Sequence, residues 1–69
     1  MKHRETEMVE ICVDLVRETA MAILVDDGGE GVIWLPKSQI ADVETLPSIP
    51  ANGVDIEIPE WLALDKDLI

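Results

Sequence analysis

At 69 residues the chain has room for one small domain with a thin core, and its single cysteine, Cys12, excludes an intrachain disulfide as a staple. A hydrophobic fraction of 48% is too high for a disordered segment even at a net charge of −10, and no stretch reaches the roughly 20 apolar residues of a membrane-spanning helix. With 15 acidic residues against 5 basic ones, the chain repels phosphate, which argues against direct nucleic-acid or anionic-membrane binding and favours basic protein surfaces as partners.

Residues 1–17 carry a net charge of −1 and residues 18–69 a net charge of −9, so the acidity belongs to the later part of the chain. The beginning, Met1-Lys2-His3-Arg4-Glu5, runs into charge rather than into an apolar signal core, so the expected location is the cytoplasm. Residues 1–6 are expected to be frayed.

From 7 to 18 the odd positions Val9, Ile11, Val13 and Leu15 are apolar, while Glu10, Asp14 and Glu18 occupy even ones. This alternation, with its β-branched residues, predicts a half-buried strand. A helix competes, because Glu7, Glu10, Asp14 and Arg17 also fall at spacings of three and four. A second strand is expected over 20–26, where a continuous apolar run suits burial on both faces. Asp26-Asp27-Gly28-Gly29-Glu30-Gly31 then reads as a hairpin connection, since Asp and Gly accept left-handed backbone.

The third strand is expected over 32–35 and ends at Pro36, which has no N–H to give a ladder. Lys37-Ser38-Gln39-Ile40 suits a single helical turn with its isoleucine turned to the core. A fourth strand is expected over 41–46, with Asp42 and Glu44 on one face, followed by a loop over 47–53 marked by Pro47, Pro50 and Asn52-Gly53. The fifth, 54–58, alternates Val54, Ile56 and Ile58 inward with Asp55 and Glu57 outward. A helix over 59–66 begins at Pro59-Glu60 and would pack Trp61, Leu62, Leu64 and Leu68 on the sheet. The sum is a mainly β, α+β fold: a five-stranded antiparallel twisted sheet or a partly open SH3- or OB-like barrel with a short C-terminal helix.

No residue set carries catalytic chemistry. His3 lies in the frayed segment without an orienting partner, and Cys12 has no histidine near it in sequence. The Gly-Gly-Glu-Gly stretch lacks the Lys-Ser or Lys-Thr of a phosphate loop. Asp26, Asp27 and Glu30 do not match a calcium loop. A non-enzymatic protein without a metal or other cofactor is expected. Trp34 and Trp61, the only aromatics, offer no stacking platform for single strands. Core packing is the simpler reading of both, and the alternative is that one anchors an interface.

Asp42, Glu44, Asp55 and Glu57 are the constellation that stands out. If strands 41–46 and 54–58 paired, these carboxylates would form a grid on one face, extended at the hairpin by Asp26, Asp27 and Glu30. Like charges across a strand pair are destabilising, and no Lys or Arg alternates with them. Such a grid can occupy a groove built for phosphate, which is the physics of a DNA mimic; the alternative is a solvated face that guards against aggregation.

Trp34-Leu35-Pro36-Lys37-Ser38-Gln39-Ile40, preceded by Arg17-Glu18-Thr19 and the apolar run after it, and followed by Ile58-Pro59-Glu60-Trp61-Leu62-Ala63, resembles short proteins of bacteriophages and prophages. In these a Trp-aliphatic-Pro-Lys-Ser-Gln-aliphatic strand end precedes an acidic segment and a Pro-Glu-Trp-Leu helix. The resemblance spans about residues 16–66 and brings no assigned activity. It implies a mobile-element context, and by size and acidity alone the chain is similar to anti-CRISPR proteins. The expected function is therefore an inhibitor that blocks a basic, nucleic-acid-binding surface of a host complex in the host cytoplasm. The alternative is a small homo-oligomer, either an accessory in phage DNA metabolism or one that sequesters a small molecule between subunits.

Overall fold

The structure, a computed structural model, describes residues 7–29 and 31–69. Four strands, β1 (Met8–Glu18), β2 (Ala22–Asp26), β3 (Val32–Pro36) and β4 (Ala51–Pro59), are followed by one short helix, α1 (Glu60–Asp65). They form an open antiparallel sheet in the order β3-β2-β1-β4. The sheet does not close, so the barrel alternative is replaced by an open sheet with two free edges.

The alternation in β1 dictates its orientation: Ile11, Val13 and Leu15 are buried while Glu10 and Cys12 are exposed, which rules out the helical reading. A three-residue connection, Thr19-Ala20-Met21, then reverses the chain, with the Thr19 hydroxyl accepting the N–H groups of Met21 and Ala22 at 3.3 and 3.1 Å. β2 buries Ile23 and Val25 but leaves Ala22, Leu24 and Asp26 half-exposed. The expectation of burial on both faces fails because none of the described residues covers the second face of the sheet. In the β2–β3 connection, Asp26 and Asp27 accept the N–H groups of Gly28 and Gly29, each at 2.8 Å, and Gly28 supplies a φ of 89°.

The expected strand over 41–46 is absent. In its place the chain from β3 to β4 crosses one face of the sheet through two 3-10 turns, Lys37–Gln39 and Val43–Thr45. The first is the turn expected before Ile40, which is buried. The second arises because the apolar residues Ile40, Val43, Leu46 and Ile49 recur every third position, matching three residues per turn. Asp42 makes this possible by adopting the left-handed conformation, φ 51° and ψ 40°, which a strand does not contain. The 47–53 loop is also shorter than expected, because β4 begins at Ala51.

The core side chains gather on the crossed face: Ile11, Val13, Leu15, Ile23, Val25, Leu35, Ile56 and Ile58 from the strands, with Ile40, Leu62 and Ala63 above them. Helix α1 starts after Pro59 and buries Leu62 and Ala63, whereas Leu64 and Trp61 remain 56% and 41% exposed. Trp34, 44% exposed, is not in the core either. Its neighbours Ile33 and Leu35 take the inward positions, and strand parity turns Trp34 to the other face.

The conformation of Asp42 separates the turn from the expected strand. Against Asp42→Asn as the charge-matched reference, Asp42→Gly raises the thermal midpoint and Asp42→Val lowers it, with a spread between Gly and Val of about 1–2 kcal/mol. A strand at this position would reverse the order, since valine favours strands and glycine weakens them.

Candidate interaction surface

The uncovered face of the sheet is built by the even positions of β2 and β3, by Met8, Glu10, Cys12 and Asp14 of β1 with Arg17 after a register shift, and by Asp55 and Glu57 of β4. On its β4–β1 side, Glu57 lies directly opposite Glu10, and Asp55 opposite Cys12. Asp14 faces Asp26 on β2. A ladder of carboxylates thus runs across three strands, with side chains about 4.5–5.5 Å apart across a pair at Cβ and about 7 Å apart along a strand. Asp14 also accepts the Gly53 N–H at 2.8 Å, which fixes its position beside β4.

Countercharge is scarce here. Among the described residues, Lys37 pairs with Glu18 at 3.0 Å on the crossed face, and Lys66 lies 4.0 Å from Asp65 at the end of α1. Among the described residues Arg17 is the one cation on the uncovered face, and it sits opposite Leu24 rather than opposite an acid. A β1 irregularity between Leu15 and Arg17 produces this placement by shifting register by one residue.

The β2–β3 side of the same face is apolar. Leu24 stands opposite Trp34, and Ala22 opposite Pro36. Val32 is 50% exposed beside them. The surface therefore joins an acidic half to an apolar half with an exposed tryptophan, the residue types that dominate many protein interfaces.

The expected acidic residues are distributed differently from the expected grid. Asp55 and Glu57 occupy the face as anticipated, but their cross-strand neighbours are Glu10 and Asp14 of β1, because β4 pairs with β1 and not with a strand over 41–46. Strand parity showed that Glu10 and Asp14 point to solvent; the missing information was which strand adjoins β4. Asp42 stays near the ladder, since the Ala41 N–H donates to the Glu57 carbonyl at 2.9 Å along the β4 edge. Glu44 is turned away and lines an open groove of about 410 Å³ on the crossed face with Glu18, Lys37, Ile23 and Leu46. Asp26 and Asp27 hold the hairpin turn. Glu30 lies outside the described residues, as does His3. Trp61 is exposed on α1, away from the uncovered face.

Cys12 reports on the field of this ladder. Partial desolvation, then the charge and hydrogen bonding of Asp55, then the charge of Asp14, raise its thiol above the ordinary cysteine value. It is exposed and lies between acids that disfavour a thiolate, the opposite of an activated nucleophile. No cluster of three or more His, Cys, Asp or Glu side chains able to hold a metal ion occurs among the described residues. No helix among them is long and apolar enough to cross a membrane. Comparison with family models, with curated proteins and with solved structures gives no match.

Alkylation of Cys12 by a neutral reagent at a pH below the raised thiol pKa tracks its thiolate fraction. Asp55→Asn removes the carboxylate beside it, so the rate is expected to rise several-fold, and added salt is expected to raise the wild-type rate in the same direction. Equal rates in the two proteins would show that Asp55 does not act on the thiol.

Proposed function

We propose that the chain is a non-enzymatic interaction protein whose uncovered sheet face docks on a cationic protein surface that otherwise holds nucleic acid. The observation that carries this reading is the direct opposition of Glu10 and Glu57, flanked by Asp55 and Asp14, with no described cation paired to any of them. Opposed like charges cost a sheet a few tenths to about 1 kcal/mol per pair. A Lys or Arg of a partner removes that repulsion on binding, so the free protein is set up to gain from a basic surface. The acids are held on strands, at fixed spacing, rather than on mobile loops.

The apolar half supplies what charge alone does not. Trp34, Leu24 and Val32 adjoin the ladder, so a partner that neutralises the acids also covers apolar surface. Screening by salt then weakens the electrostatic part and leaves the apolar part in place. The resemblance to short phage proteins and the similarity in size and acidity to anti-CRISPR proteins support a basic, nucleic-acid-binding complex of a bacterial host as the target, met in the host cytoplasm. Blocking such a complex needs occupancy of its groove and no chemistry.

Competition tests the reading. Host complexes captured on the immobilised chain are expected to be displaced by duplex DNA and to lose affinity about tenfold or more between roughly 50 and 200 mM salt. The triple variant Glu10→Gln, Asp55→Asn, Glu57→Gln is expected to capture little at either concentration while keeping the circular dichroism of the parent. Capture that is insensitive to salt and to the triple substitution contradicts the proposal.

A further inference from the structure

The two edges of the sheet differ in a way the acidic face does not explain. Hydrogen bonding alternates along antiparallel strands, so one bond fixes which residues of a regular stretch point their backbone outward. On β4, Glu60 N–H bonds to the Glu7 carbonyl next to the Met8–Pro59 pair. The outward positions are therefore Asp55 and Glu57, while Gly53, beyond the register shift, gives its N–H to Asp14 of β1. That edge is protected by two carboxylates, and the Ala41 N–H already occupies the Glu57 carbonyl.

On β3, Lys37 N–H bonds to the Met21 carbonyl next to the Ala22–Pro36 pair. Leu35 and Ile33 thus bond inward to β2, and Val32, Trp34 and Pro36 point their backbone groups away from the sheet. Within the strand this edge carries no charge and no bulge, and Asp27, Lys66 and Asp67 border it at the Val32 end. Its donors are the N–H groups of Val32 and Trp34, because Pro36 has none.

We propose that this edge pairs with the same edge of a second copy, in an antiparallel arrangement centred on Trp34. A two-fold axis through that position sets Trp34 opposite Trp34 of the second copy and Val32 opposite Pro36. Each Trp34 N–H then meets the Trp34 carbonyl of the other copy, and each Val32 N–H meets a Pro36 carbonyl. Every outward donor of the strand is used, and each Val32–Pro36 pair makes one bond instead of two, because Pro36 has no N–H to give to the Val32 carbonyl. The same centre places the two Trp34 rings on the same face, about 5.5 Å apart at Cα, within stacking reach.

Charge favours the same occupant at the same edge. A second copy also carries −10, and the Asp55 and Glu57 column is three strand spacings, about 14 Å, from β3, beyond the roughly 8 Å screening length at physiological salt. The pairing also brings Lys37, which follows β3, beside the Asp27 hairpin of the other copy. Five residues of strand per copy is far fewer than the roughly 20–30 per side of a standard interface, so the dimer is weak and concentration-dependent.

Sedimentation of the full chain across about 10 μM to 1 mM is expected to show the mass rising towards twice the monomer, more readily as salt screens the like net charges. Val32→Pro removes an outward donor and no bond to β2, and is expected to weaken association by about tenfold or more with unchanged circular dichroism. Should that variant not fold, amide exchange of the wild type gives the same answer: the Val32 and Trp34 amides slow with rising concentration, and the outward Asp55 amide does not. A chain that stays monomeric to 1 mM, a dimer indifferent to Val32→Pro, or protection of these amides only when a foreign peptide is added would overturn the proposal.

Discussion

The structure depends on one topological constraint: β3 and β4 follow each other in sequence but lie at opposite edges of the sheet. The chain between them must cross the full width of four strands, and it crosses on one face only. Doing so, it lays Ile40, Val43, Leu46 and Ile49 over the strands and, with Leu62 and Ala63 of α1, completes the single core that a chain of this length can build. None of the described residues covers the other face. That face is left to solvent or to a partner, and its composition is set by that freedom.

The uncovered face tolerates its charges because they are exposed. Opposed carboxylates in water interact by about 1 kcal/mol at close range, whereas a buried pair would cost several times more. A small core can bear a few such penalties when Leu15, Ile23, Val25, Leu35 and Ile58 are fully buried beneath them. The charge also divides the molecule. Asp55 and Glu57 discourage strand addition at β4, while the edge at β3, with its exposed tryptophan, keeps open hydrogen-bonding groups and no repulsion. One sheet thus presents two different surfaces, one electrostatic and one built of backbone.

Much of this was legible in the sequence. The alternation in β1 and in residues 54–58 gave the strands, their buried faces and the outward direction of Glu10, Asp55 and Glu57. Asp26-Asp27-Gly28 marked its turn through side-chain acceptors and a glycine at positive φ, and Pro59-Glu60 marked the helix start. What failed was the segment 41–46, where Asp42, Glu44, Ala41 and Val43 alternate well enough to mimic a strand. The spacing of three from Ile40 to Ile49 carried the correct signal, but it competes with period two over so few residues. Strand order was not legible, because nothing local states that β4 joins β1; this is why Glu10 and Asp14 were not grouped with Asp55 and Glu57. The exposure of Trp34 was decided by parity with Leu35, which a run of four apolar residues conceals.

Glu10 and Glu57 face each other on a sheet face that none of the described residues covers, and they repel. A double-mutant cycle in thermal or chemical unfolding, with Glu10→Gln and Glu57→Gln singly and together, measures that interaction directly. The account predicts a repulsive coupling of about 0.2–1 kcal/mol at low salt that shrinks towards zero at high salt. A coupling of zero at low salt, or an attractive one, would contradict it.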